Sequence, residues 1–223
     1  MSEVLIPTPK LTLGKVLVDA LVKGLTPLTA LGFLYEYEGT TPETRAALRK
    51  DVREHIVPSQ RLRVVSDREG KPIAFVVSAL HKTRYGNLYQ LEGIIIHPDH
   101  QGKGLGRALL ADEFAKTNTH LLGFQTQNRK MLDLGDQLAE MDIPYARELG
   151  PVIGTPQPEL EYKNGEYLVV HRGRYDGQPL YADLNRYRES GMEISGLNYL
   201  MGDAVVFVGP LRQTRSTEGG RCE

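Results

Sequence analysis

The chain has 223 residues, a net charge of −1, 40% hydrophobic and 25% charged residues, and one cysteine. This is the balance of a globular protein with one domain of ordinary size, and it excludes a disulfide framework and any partner chosen by bulk positive charge. No apolar run approaches the roughly 18 residues that span a bilayer, and Met1-Ser2-Glu3-Val4 lacks the basic start of a signal peptide, so a cytoplasmic location is expected.

Residues 11–23 place Leu13, Val16, Leu17, Ala20 and Leu21 at helical spacing, and Gly24 and Pro27 are expected to end that helix. Residues 28–40 turn aromatic and acidic, with Tyr35, Glu36, Tyr37 and Glu38. A second helix is expected to run from a Thr41 cap and Pro42 to about Val57. Arg61–Ser66 reads as a strand, residues 67–70 as a hairpin turn, and residues 72–80 as a central strand apolar on both alternations. Residues 87–96 form the next strand. A helix over 104–117 is expected to bury Leu105, Ala108, Leu109 and Ala115, with Leu110 and Phe114 widening the stripe. A strand over 120–126 follows, and Asn128 can cap a helix reaching about Glu140. The dipeptide Asn164-Gly165 marks a hairpin between 160–163 and 166–172. Residues 174–181 read as a loop, 183–190 as a short helix and 204–208 as a last strand. Cys222 lies in a Gly-rich polar tail with no positioned base and is expected as a free thiol.

The most telling stretch is Gln101-Gly102-Lys103-Gly104-Leu105-Gly106-Arg107, between an apolar strand and a helix. Glycines let a ligand approach backbone N–H groups, and the first N–H groups of a helix are unpartnered at the positive end of its dipole. Strand, glycine turn and helix start together make a pyrophosphate cradle. The glycines fit neither the dinucleotide spacing nor the NTPase phosphate loop. They fit Gln-x-x-Gly-x-Gly, with Gln101, Gly104 and Gly106.

This pattern, with Ile96-His97-Pro98 before it and the strand and Asn128 after it, resembles the acyl-CoA signature of the GNAT superfamily of N-acetyltransferases. The resemblance is clear over about residues 60–140. It implies an α+β fold: a central mixed, mostly antiparallel twisted sheet flanked by helices, with a C-terminal elaboration. The expected division is 1–173 for the acyltransferase domain, 174–212 for the elaboration and 213–223 for a flexible tail. The implied cofactor is acetyl-CoA and the implied activity is acetyl transfer to a primary amine. Backbone N–H groups of 102–107 would hold the pyrophosphate, with charge from Lys103 or Arg107. Ile94, Ile95 and Ile96 would pair with the pantetheine arm, one N–H would polarise the thioester carbonyl, and Asn128 would contact the arm.

An amine acceptor must lose a proton, and Glu92 in the apolar strand is the candidate base. Gln90, on the same face, cannot act as one. The family's tyrosine, seven residues after the asparagine, is replaced by Gly135, and Met131 stands where an alanine is usual. A tyrosine from the last third (Tyr145, Tyr167, Tyr175 or Tyr181) stays open as the acid. His97 and His100 read as solvated surface, and no metal is expected. Tyr35, Glu36 and Tyr37 could receive a cationic acceptor, whereas Arg172 and Arg174 would suit an anionic one. The acceptor is a small-molecule or peptide amine, with no membrane and no nucleic acid expected and a homodimer compatible. An acyl-CoA sensor and an enzyme modifying a nucleobase remain alternatives.

Overall fold

The computed structural model describes residues 2–7, 15–33, 41–163, 165–174, 184–189, 194 and 197–212. In chain order these form β1 (Ser2–Pro7), α1 (Lys15–Gly32), α2 (Pro42–Ile56), β2 (Arg61–Ser66), β3 (Pro72–Thr83) and β4 (Gly86–Ile96). Then come α3 (Leu105–Thr117), β5 (Leu121–Thr126), α4 (Arg129–Leu138), α5 (Ile143–Leu149), β6 (Glu159–Lys163), β7 (Glu166–His171), α6 (Leu184–Glu189) and β8 (Ala204–Pro210).

The strands form one sheet in the order β1-β2-β3-β4-β5-β8-β7-β6. Every neighbouring pair is antiparallel except β4 and β5, which run parallel. The expected mixed, mostly antiparallel sheet is therefore present. β8, from the segment expected as an elaboration, lies inside the sheet between β5 and β7. The turn at 67–70 forms as read. Asp67 accepts from the N–H groups of Glu69 (3.1 Å) and Lys71 (2.8 Å), and Gly70 takes φ +82°.

Alternation along β3 splits the core into two layers. Val76 packs on the α3/α4 side with Tyr89, Leu110, Phe124 and Phe207. Phe75 and Val77 pack on the other side with Leu25 of α1 and Ile56 of α2. α5 covers Leu88, Leu121 and Val208 at the far end of that second face.

Two expectations are corrected. α1 does not end at Gly24 or Pro27 but continues to Gly32. Pro27 removes one helix hydrogen bond at a cost of about 3 kcal/mol. Burial of Leu25 and Leu28 offsets it, each worth about 1.5–3 kcal/mol. The buried face follows Val18, Val22, Leu25 and Leu28, leaving Val16 and Leu17 exposed. In α3 the core face is Gly106, Leu109, Leu110, Glu113 and Phe114, so Ala108 and Ala115 are exposed. The stripe is rotated because Glu113, almost fully buried, is paired with Arg61 (2.9 Å) and Arg63 (3.4 Å) of β2. Arg63 also donates to the Leu109 carbonyl, tying α3 to the sheet. β1 and α5 carried too weak a pattern to be read from sequence.

Candidate functional site

β4 and β5 pair only from Leu88/Leu121 to Leu91/Phe124. Beyond that point the two strands part, while β4 stays paired with β3 to its end. A bulge sits at the parting: Val77 faces Gly93 and Ser78 faces Leu91, leaving Glu92 as the extra residue. The bulge flips the alternation, so Tyr89, Leu91, Ile94 and Ile96 all pack toward α3, and Ile95 toward α1 and α2.

The N–H of His97 donates to Ile73 of β3 at 2.8 Å. N–H groups alternate sides along a strand, so those of Ile94 and Ile96 face the parted edge, toward β5. A cleft of about 650 Å³ opens there, within the size range of small-molecule sites. Residues 91–96, the turn at 100–107, the start of α4 and the ends of α1 and α2 line it.

The turn is built to leave its donors open. Gly102 (φ +70°) and Gly104 (φ +76°) are left-handed, and a Cβ on either would meet no atom within 4 Å. Glycine is required there by backbone conformation, and the space above is free for a ligand. Gly104 is the N-cap of α3 and makes no side-chain cap hydrogen bond. The first N–H groups of α3 are therefore without a side-chain cap at the positive end of the dipole. Gly106 instead allows close packing: a Cβ would sit 3.1 Å from the Ile96 Cδ1. Gln101 donates its amide to the Ile96 carbonyl (2.8 Å), and Lys103 Nζ donates to the Asp99 carbonyl (2.6 Å). Both side chains hold the turn in shape. Arg107 is exposed on the cleft wall.

Asn128 caps α4 as expected, accepting from the Lys130 N–H at 2.9 Å, and also lines the cleft. Gly135 is explained by its neighbours. A Cβ there would come within 2.7 Å of Phe124 and 3.1 Å of Phe207, whose rings stack at 4.7 Å. The aromatic pair occupies the space a tyrosine at 135 would need. His97 Nδ1 accepts from the Asp99 N–H, a local turn role. Among the described residues no three His, Cys, Asp or Glu side chains gather as a metal site.

Glu92 lines both the cleft and an adjoining cavity of about 250 Å³. It is reachable from the cleft, yet the walls remove enough water to raise its carboxyl above the usual range. The charges of His55, His81 and Arg174 oppose the rise. Gln90 Oε1 accepts from His81 Nε2–H at 2.7 Å, while its amide N–H donates to the Ile153 carbonyl at 3.4 Å. Gln125 donates to the same carbonyl and to Thr155, both at 2.7 Å. His171, its pKa lowered by burial and then by Arg174, lies 3.3 Å from both Thr155 and Gln125. Glu54, His55 and Gln125 were not singled out in the sequence, because no local pattern links them to Glu92. Tyr35, Glu36 and Tyr37 lie outside the described residues, as do Tyr175 and Tyr181. Tyr167 stands exposed against Tyr162 on the β6–β7 hairpin, and Tyr145, in α5, packs against Tyr85. Neither lines the cleft.

The acetyltransferase (GNAT) domain family matches residues 59–135. The chain is 35% identical over 80 residues to the L-amino acid N-acyltransferase MnaT of Escherichia coli (strain K12). That match spans 34% of this chain and only 40% of the relative's length. Among solved structures, a ribosomal-protein-alanine N-acetyltransferase from Brucella melitensis biovar Abortus is 18% identical, with a TM-score of 0.41, covering 61% of this chain and 90% of that one. An IAA acetyltransferase from Bacillus cereus is 18% identical, with a TM-score of 0.39, covering 94% of this chain and 100% of that one.

Proposed function

We propose that the chain, whose residues 59–135 match the acetyltransferase (GNAT) domain family, is an acetyl-CoA-dependent N-acyltransferase acting on a primary amine by direct attack. The observation that carries this reading is the parting of β4 and β5 beside an uncapped helix start. It leaves a row of backbone donors and a carboxylate of raised pKa in the walls of one cleft.

When bound, acetyl-CoA would supply an acyl group already activated as a thioester. The N–H groups of residues 102–107 suit its pyrophosphate, since a dipole end with open donors favours an anion. Lys103 and Arg107 add positive charge at the rim. The N–H groups of Ile94 and Ile96 suit the pantetheine arm and the thioester carbonyl. One such donor on a developing oxyanion is worth about 2.7–4 kcal/mol. Ile95 contributes its side chain to the core beneath, Leu105 and Gly106 form the wall, Gln101 positions the turn, and Asn128 flanks the arm.

Glu92 takes the proton from the acceptor ammonium. A lysine-like amine has a pKa of about 10.4, so little of it is neutral near pH 7 without a base. A carboxylate of raised pKa is the better proton acceptor at that pH. The missing tyrosine is tolerable, because a thiol of pKa about 8.5 needs no general acid to depart.

The test is kcat/KM against pH for the native protein and Glu92→Gln, read as thiol release with a panel of primary amines. Glu92→Gln is expected to lower the rate by roughly 10²–10⁴-fold and to abolish the acid limb, with CoA affinity unchanged by calorimetry. An unchanged profile in the variant removes Glu92 as the base.

A further inference from the structure

We propose that His55 is the proton exit of the site, taking the proton that Glu92 collects and passing it to solvent. This rests on the N-acyltransferase reading above, and that reaction makes an exit necessary. An acceptor ammonium carries three protons, and the amide product keeps one. Of the other two, one ends on the departing sulfur as the CoA thiol and one leaves the protein in every turnover. Glu92 cannot accept again until it has discharged that proton.

The cleft of about 650 Å³ and the adjoining cavity of about 250 Å³ share five lining residues. Two of these titrate, Glu92 of β4 and His55 of α2; the others are Leu91, Phe124 and Gln125. His55 is oriented by its own helix. Val52 and Ile56 bury their side chains and hold the last turns of α2 against the sheet. Asp51 and His55, four residues apart, share a face of that helix. His55 Nδ1 lies 2.9 Å from the Asp51 carbonyl oxygen and 3.5 Å from the Asp51 Oδ1. A carbonyl only accepts, so Nδ1 carries the ring proton, and in the neutral imidazole Nε2 is left as the acceptor. The His55 side chain is 54% exposed, which gives a proton on the ring a way into water.

The charged and titratable groups around the pair are Asp51 and Glu54 of α2 and Arg174 after β7. Of the charges that oppose the rise in the Glu92 pKa, that of His55 acts most strongly. The proton leaves the Glu92 carboxyl, directly or through one water, and binds the Nε2 lone pair. Glu92 returns to the carboxylate as His55 becomes the imidazolium, and the opposite charges stabilise each other. The imidazolium then loses its proton to solvent, a step suited to a ring that gains and loses protons near neutral pH. His55 acts through Glu92 and does not touch the reacting atoms.

The test follows thiol release with a panel of primary amines at saturating acetyl-CoA, near neutral pH and in dilute buffer. His55→Ala is expected to lower kcat at least about tenfold, with the amine KM and the CoA affinity within about twofold of native. Added imidazole, corrected for its reaction without protein, is expected to raise the rate of His55→Ala in proportion to its concentration and to leave the native rate unchanged. An unaltered kcat in His55→Ala, or a lowered kcat that imidazole does not raise, overturns the proposal. Carbon-13 NMR of the Glu92 carboxyl tests the pair without turnover. In His55→Gln, which keeps the bulk of the side chain without its charge, Glu92 is expected to titrate at higher pH than in the native protein. An unchanged Glu92 titration also overturns the proposal. A shifted titration with no acylation of any amine by the native protein faults the N-acyltransferase reading and supports the pair. Acylation by the native protein with no imidazole rescue in His55→Ala faults His55 alone.

Discussion

On the α3 side of the parted strands stands a glycine turn whose backbone donors are open; on the α2 side an adjoining cavity is lined by charged and polar side chains. The α3 side offers N–H groups of Ile94, Ile96 and the 102–107 turn, with Gly102 and Gly104 held in conformations other residues resist. The other side offers Glu54, His55, Glu92, Gln125 and Arg174, each delivered by a different stretch of chain except the first two. A backbone site is indifferent to most substitutions yet intolerant of a lost glycine. A side-chain site can change what it accepts through single substitutions while the sheet stays as it is. The two helices that begin at the cleft repeat the contrast. α4 has the Lys130 N–H capped by Asn128, whereas α3 starts at Gly104 with no side-chain cap and so keeps the positive end of its dipole open.

The contrast can be broken most severely from behind. Glu113→Ala removes the buried partner of Arg61 and Arg63 and is expected to cost about 3–5 kcal/mol of stability, read by chemical denaturation. A loss below about 1 kcal/mol would mean that this pair does not anchor α3. Next is Gly104→Val, where a branched side chain must adopt φ +76°. With left-handed backbone costing about 1–2 kcal/mol, CoA affinity is expected to fall about tenfold or more by calorimetry. Circular dichroism should stay native, and unchanged affinity would detach the turn from the cofactor. Gly135→Ala pushes a methyl group to within 2.7 Å of the Phe124 ring and is expected to cost about 1–3 kcal/mol. A neutral result would show that the stacked pair yields easily and that a larger residue was not excluded there.

The smallest effect is one of sign. Burial raises the Glu92 pKa above its unfolded value of about 4.3. Its contribution to stability is fully present below that value and is lost as pH rises through the folded pKa. Glu92→Gln is therefore expected to match the native protein in acid and to exceed it in stability at neutral pH. A variant that is less stable at neutral pH would mean that Glu92 is a structural ion-pair partner.

Legibility in the sequence followed the same division. The glycine turn could be read because glycine identity reports backbone geometry at the residue itself. β3 could be read because both of its faces are buried, giving an unbroken apolar run. α1 outruns its local pattern because Pro27 is a stop signal only until the sheet surface that Leu25 and Leu28 cover is in place. The α3 stripe was rotated because Glu113 counts as polar until Arg61 and Arg63, some fifty residues earlier, are placed beside it. The acceptor side was the least legible. Glu54 of α2, Glu92 of β4 and Arg174 after β7 meet only in the folded chain, and Asp203 holds the Arg172–Gly173 turn from thirty residues away. Gly135 stood out as a departure from the family pattern, but its cause, the Phe124–Phe207 stack, is a tertiary contact.

The central claim is that the parted edge of β4 and the open start of α3 hold the cofactor through their backbone donors. Amide hydrogen exchange with and without CoA reads those donors one by one. Slowed exchange is predicted at Ile94, Ile96 and residues 104–107, with little change at Arg174. Unaltered exchange at Ile94, Ile96 and 104–107 under saturating CoA would contradict the account.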